Sequence, residues 1–288
     1  MLKDLTIVSI DSLNYDATAL ALDKTREMFP DAKIVTISDR DFYPDADWYE
    51  VPKFDSKIHS KICLHNVYDV VDTEWALFVQ YDGFPTNPEF WTDDFLNYDY
   101  VGGIMWNRDG DPVVGCGGFS LRSKNMLDLS RYLEQDFTST EFGWDWLEDQ
   151  LISHTYRPWL ESQGIKFATP EIANLWCREA PQGAPTSVGF HAHNLIPEYA
   201  GKDLTLKWLQ AIDDSVIYNK NLYCIPYYLW KWDELDFLRE FMIKAEKINT
   251  GWSKMAWKES QWRIGTAYPE QDLWELQKMI TVYGYTGP

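Results

Sequence analysis

The run Ala76-Leu77-Phe78-Val79-Gln80-Tyr81-Asp82-Gly83 is apolar and rich in β-formers until it stops at a carboxylate followed by a glycine. A strand buried on both faces reads this way, and its last side chain emerges at the edge of a sheet. Downstream come Tyr98-Asp99-Tyr100-Val101-Gly102-Gly103 and then Val114-Gly115-Cys116-Gly117-Gly118-Phe119-Ser120-Leu121-Arg122-Ser123. Three glycines in four positions let backbone approach a ligand closely. The spacing predicts a strand-end carboxylate and a glycine loop facing one pocket.

Upstream, the β-branched run from Leu5 to Ile10 ends at Asp11, and Ala17, Leu20, Ala21 and Met28 recur at helical spacing. Pro30 breaks that helix, and Lys33 to Ile37 reads as a second strand ending at Ser38-Asp39. Strand–helix–strand alternation implies parallel strands, and open sheets of this kind bind ligands beyond the carboxyl ends of their strands. Asp11 and Asp39 therefore lie at the correct edge, with a turn or helix-cap role as the alternative for each. Residues 56–71 read as one helix, with Cys63, Val67 and Val70 on a face and Lys57 and Lys61 together on one side.

In order and spacing, Gln80-Tyr81-Asp82-Gly83, Tyr98-Asp99-Tyr100-Val101-Gly102 and Gly117-Gly118-Phe119-Ser120-Leu121-Arg122-Ser123 resemble a family of predicted GT-A-type glycosyltransferases, catalogued as a domain of unknown function. The resemblance covers roughly the first two hundred residues. It implies an α/β fold, a Rossmann-like mixed sheet flanked by helices, and transfer of a hexose or pentose from a nucleotide-diphosphate sugar, such as a UDP-sugar, to a hydroxyl acceptor on a glycan or small molecule. Similar enzymes carry Asp-x-Asp where this chain has Gln80-Tyr81-Asp82, and hold manganese or magnesium there with hard oxygen ligands. One amide and one carboxylate make a weaker anionic site.

The same resemblance makes Asp39 a contact to base or ribose and Lys57 a neutraliser of diphosphate. It also places Gln80, Asp82, Gly117 and Gly118 at the donor, and gives the closing Phe190-His191 a metal-ligating histidine. Its acidic pair at a helix start corresponds to Glu148-Asp149, with Asp149 as the base that deprotonates the acceptor in inverting members. The residues alone allow blander readings: a solvated lysine, helix-start acidity complementing the dipole, or an ordinary histidine. His191 and His193 alternate, so an extended backbone would send both to one face.

The 288 residues carry a formal charge of −19, which argues against a protein that grips nucleic acid or anionic membrane electrostatically. Cys63, Cys116, Cys177 and Cys224 show no metal-finger spacing and suit free thiols. With no secretory leader and no apolar run near twenty residues, the expected location is the cytoplasm. Residues 181–185 read as an irregular loop that closes over substrate. Residues 201–288 read as a helical, tryptophan-rich extension packed on a 1–200 catalytic domain, with helices over 232–248 and around Leu273, Leu276 and Ile280. Two other functions fit the same features: a GT-A-like module that binds sugar or nucleotide without catalysis, and a transferase acting on hydroxylated DNA bases.

Overall fold

The computed structural model describes residues 4–106, 111–135, 146–179 and 186–248, with 252, 255 and 256. The expected 181–185 loop and the helix around Leu273 fall outside them. The chain forms two compact units, 1–199 and 200–288.

The first unit opens with β1 (Leu5–Ile10), every residue of which is buried, and α1 (Tyr15–Met28), which turns Ala17, Ala21 and Leu22 inward. After β2 (Lys33–Ser38) and the exposed edge strand β3 (Asp47–Glu50) comes α2 (Ser56–His65), capped by Asp55, whose carboxylate accepts the Lys57 and Ile58 N–H groups. The single helix expected over 56–71 is interrupted at Asn66, and α3 (Val67–Val70) follows as a separate turn. Next are β4 (Trp75–Val79), β5 (Gly83–Pro85) and two 3-10 turns, Pro88–Phe90 and Asp93–Asn97. Strands β6 (Tyr100–Trp106) and β7 (Pro112–Ser123) lead into α4 (Lys124–Ser130), where Ser123 caps by accepting from the Met126 N–H. The unit ends with α5 (Glu148–Gln150), a π-turn Leu151–Thr155, α6 (Arg157–Ser162), α7 (Pro170–Trp176), β8 (Cys177–Arg178), β9 (Gly189–His191) and α8 (Ile196–Tyr199).

The main sheet has the order β3-β2-β1-β4-β7-β6. The first four strands are parallel, while β7 runs antiparallel to both β4 and β6. This is the expected α/β class, a mixed sheet flanked by helices. On one face Val8, Val35, Ala76 and Phe78 bury against Ile62, Cys63, Val67 and Leu127. Burying a large apolar side chain contributes roughly 1.5–3 kcal/mol, so this layer holds the strand ends rigidly. Elsewhere Phe119 stacks on Trp176, centroids 4.8 Å apart.

Two consequences position a site. Pairing of Val79 with Phe119 sets the residues before Phe119 beside the carboxyl end of β4. The glycines expected to form a loop therefore lie inside β7, where its pairing with β6 shifts register between Leu121 and Cys116. A second sheet, β5-β9-β8, pairs Gly83 with His191 and brings β9 to that same end.

In the second unit α9 (Gly201–Ala211) precedes two 3-10 turns, α10 (Ile225–Lys231) and α11 (Leu235–Ile248). Leu238, Met242 and Ala245 are buried as their spacing predicts, whereas Leu235 is exposed. Trp252 is fully buried, donates to the Ile217 carbonyl at 2.9 Å and meets Phe241 edge-on. Among the described residues no helix is long and apolar enough to cross a membrane.

Candidate functional site

Gln80 and Gly83 exchange backbone hydrogen bonds of 2.9 and 3.0 Å, so Tyr81 and Asp82 form the tip of a tight turn leaving β4. Asp82 is buried there. Its Oδ2 lies 3.3 Å from His193 Nδ1, and the other ring nitrogen of His193 meets the Tyr81 hydroxyl at 2.8 Å. Its Oδ1 has no hydrogen-bond partner and faces His191 Nε2 across 3.9 Å. Both histidines thus reach one carboxylate, although the backbone between them is not extended. Ala192 has φ +132°, a strained value for a residue with a Cβ, and its N–H donates to the Asp82 carbonyl at 2.9 Å. That kink returns the second histidine to the carboxylate already approached by the first.

A buried, partnerless carboxylate oxygen opposite an imidazole nitrogen is a set that a divalent cation fits. Ligand bonds of about 2.1 Å on either side span up to about 4.2 Å. Among the described residues, Cys116, Glu179 and His191 form a second such set, with one ligand atom from each within 4.8 Å of the others. Burial opposes a proton on His191, but Cys116, Glu179 and Asp82 raise its pKa well above the ordinary value. His193 goes the other way, lowered by burial.

The glycines of β7 are cut-outs for these side chains. A Cβ on Gly118 would sit 2.2 Å from the His191 ring and 2.9 Å from Gln80 Oε1; one on Gly117 would sit 2.1 Å from Glu148 Oε1. No real Cβ tolerates such distances, so the sequence needs glycine for side chains to cross the strand.

Glu148 and Asp149 open α5, but their environments differ. Glu148 is buried and ion-paired at 2.8 Å to Arg122, which is wholly buried over the Phe78 ring. Its own N–H is 3.3 Å from Ser60 Oγ. Asp149 is partly buried, and its carboxylate accepts the Gln150 N–H at 2.7 Å. Burial, then the charge of Glu148, pushes its pKa up to about 7, with His191 pulling down and Glu179 pushing up. A carboxyl group that titrates near neutrality exchanges a proton readily.

The remaining candidates lie further along the rim. Asp39 follows β2 and accepts from the Tyr15 hydroxyl at 2.5 Å, with the Arg40 guanidinium over the Tyr15 ring. Lys57 is exposed, its ammonium 5.9 Å from the centroid of Trp146, two residues before Glu148. Asp11 is consumed by its own helix start, accepting from the Leu13 and Asn14 N–H groups and the Thr18 hydroxyl. Asp99 lies instead at the opposite edge, level with the start of β4, and accepts from Ser123 Oγ and the Lys166 N–H.

Sequence reasoning missed Glu179, whose Oε2 is 3.2 Å from His191 Nδ1, and Cys116, whose sulfur is 3.0 Å from the same nitrogen. No local pattern marks Glu179. The signal that could have found it is Gly103, where a Cβ would lie 2.5 Å from Glu179 Oε1.

Residues 55–191, which hold Asp82, the β7 glycines, Glu148, Asp149 and His191, match a family described as a protein of unknown function, DUF5672. No curated protein matches the chain in sequence. Among solved structures, the chain is similar to the bifunctional IspDF from Campylobacter jejuni, at 9% identity and a TM-score of 0.38 over 57% of this chain and 48% of that one. It thus spans about half the length of that protein. It is also similar to the galactosyltransferase LgtC in complex with donor and acceptor sugar analogs, at 11% identity and a TM-score of 0.39, covering 72% of this chain and 95% of that one.

Proposed function

We propose that the protein is a glycosyltransferase that moves a sugar from a nucleotide-diphosphate donor to a hydroxyl acceptor. The observation that carries this reading is the bare, buried Oδ1 of Asp82 facing His191 at the carboxyl end of β4, where sheets of this kind bind their ligands. Asp82 and His191 would hold manganese or magnesium at the donor's diphosphate end, where the ion would supply the positive charge that stabilises the leaving group. Gln80 and the backbone at Gly117 and Gly118 border the donor, Asp39 takes the base or ribose, and Lys57 supplies positive charge to the phosphates.

Asp149 is the base. In an inverting transfer the acceptor oxygen forms its bond to the anomeric carbon as that carbon's bond to the diphosphate breaks. The diphosphate leaves with the electron pair, and the hydroxyl proton passes to Asp149. A pKa near 7 suits that task, since the group is ionised in a useful fraction of molecules at neutrality and still basic enough to take the proton. Glu148 serves beside it, held by Arg122 and raising the basicity of Asp149. The cytoplasm is the proposed compartment, and residues 201–288 are proposed to be a structural extension.

Gln80 in place of a carboxylate favours a second reading, a module that binds a nucleotide sugar and does not turn it over. A panel of nucleotide sugars incubated with and without manganese, with release of nucleoside diphosphate as the readout, decides between them. Binding without release on adding acceptor would leave the second reading. The −19 charge speaks against a DNA acceptor, and absence of DNA binding at low salt would dispose of it.

A further inference from the structure

His191 has two nitrogens in different company. Nε2 looks across 3.9 Å at the bare oxygen of Asp82. Nδ1 lies 3.2 Å from Glu179 Oε2 and 3.0 Å from Cys116 Sγ. For the neutral ring, two arrangements compete. Either Nδ1–H donates to the Glu179 carboxylate, or Nδ1 is bare and accepts from the Cys116 thiol while Nε2 carries the proton.

The chemistry of the neighbours separates them. A bond from N–H to a carboxylate is charge-assisted and about twice as strong as a neutral one, whereas a thiol is a weak donor. A bare Nδ1 would also turn its lone pair on the Glu179 carboxylate at 3.2 Å, a closer repulsive approach than the 3.9 Å that separates a bare Nε2 from Asp82 Oδ1. Glu179 is itself fixed: Oε1 lies 3.6 Å from Cys177 Sγ, and its side chain packs where a Cβ on Gly103 would have been.

We infer that Glu179 is the positioning residue of the donor site, accepting Nδ1–H of His191 and so holding the Nε2 lone pair toward Asp82. The inference rests on the reading of Asp82 and His191 as the cation and diphosphate pole. Cys116 then fills space beside the ring, and Gly103 and Gly118 are small because the carboxylate and the imidazole of this pair cross β6 and β7 there. Carboxylate–imidazole pairs of this kind fix ring orientation and raise ligand basicity, and losing the carboxylate typically costs 10–100-fold in metal affinity.

The test has a metal-free arm and a metal arm. In the metal-free protein, nitrogen-15 NMR of His191 above its pKa should show the proton on Nδ1, and Glu179→Ala should move it to Nε2. A wild-type proton on Nε2 overturns the inference whatever the protein binds. In the second arm, Mn2+ affinity is measured for folded wild type, Glu179→Gln and Glu179→Ala. The expected order is wild type tightest, Gln about tenfold weaker because its amide oxygen still accepts the proton, and Ala weaker again by up to about 100-fold relative to wild type. Equal affinities would overturn it. So would a sulfur-to-metal charge-transfer band on adding Co2+ that is lost in Cys116→Ser, because Cys116, Glu179 and His191 would then be ligands of one ion themselves. Indifference of Mn2+ binding to Asp82→Asn, with the proton still on Nδ1, would instead remove the donor-site reading and leave the Glu179–His191 pairing standing.

Discussion

Asp11 and Asp82 follow adjacent parallel strands, β1 and β4, and stand at the same edge of one sheet. Both are buried. Asp11 spends its oxygens on two backbone N–H groups and a threonine hydroxyl at the start of α1, so nothing is left for a ligand. Asp82 keeps one oxygen bare. The same contrast divides Glu148, tied to Arg122, from Asp149, whose pKa is pushed up to about 7. Position at a strand end therefore does not distinguish a cap from a ligand-binding group; what distinguishes them is whether local structure has already satisfied the carboxylate.

The strongest way to break the contrast is at Asp149. Asn keeps its size but cannot take a proton, so turnover should fall about 100- to 10,000-fold while donor affinity persists. Turnover assays and calorimetry on one folded variant check this. Near-wild-type turnover would remove Asp149 as the base.

The opposite outcome is expected at the satisfied neighbour. Arg122→Met leaves Glu148 as an uncompensated buried charge, which should cost roughly 3–5 kcal/mol of stability. Denaturant unfolding would show it. An unchanged midpoint would mean that Glu148 takes a proton or finds another partner at little cost.

Asp82 and Asp11 are best compared directly. Asp82→Asn should weaken nucleoside-diphosphate binding about tenfold or more with little change in unfolding, since the oxygen concerned has no bond to lose. Asp11→Asn should leave binding alone and cost about 1–2 kcal/mol, as expected for a buried capping group. Calorimetry and melting on the two variants would sink the distinction if their effects were exchanged.

Much of this was legible in the sequence because strand periodicity and strand ends are local. The βαβ half, the turn at Asp82 and the buried faces of α1 and α11 follow from spacing within a few residues. The glycines were legible as a constraint but not as a strand. Gly117 and Gly118 accommodate Glu148 and His191, which lie 31 and 73 positions away by the numbering. Glu179 was invisible for the same reason: its partner His191 is reached only through the β8–β9 pairing, and its space only through Gly103 on β6. The kink at Ala192 was hidden too, since alanine gives no signal of a positive φ.

The remaining effect concerns stability against pH. The folded-state pKa of Asp149 is about 7, raised first by burial and then by Glu148, against an ordinary value of 3.8. The folded protein therefore binds that proton more tightly than the unfolded chain does. By linkage, the favourable contribution is complete below about 3.8 and is lost progressively as pH rises to about 7, beyond which no more is lost. Asn mimics the protonated group at every pH and lacks this slope. Asp149→Asn should therefore match wild type near pH 4 and become the more stable protein as pH rises, with the gap levelling off above pH 7. Urea unfolding of both proteins across that range measures it. A gap independent of pH would mean that Asp149 titrates normally in the fold, and the base would have lost the poise that its burial beside Glu148 supplies.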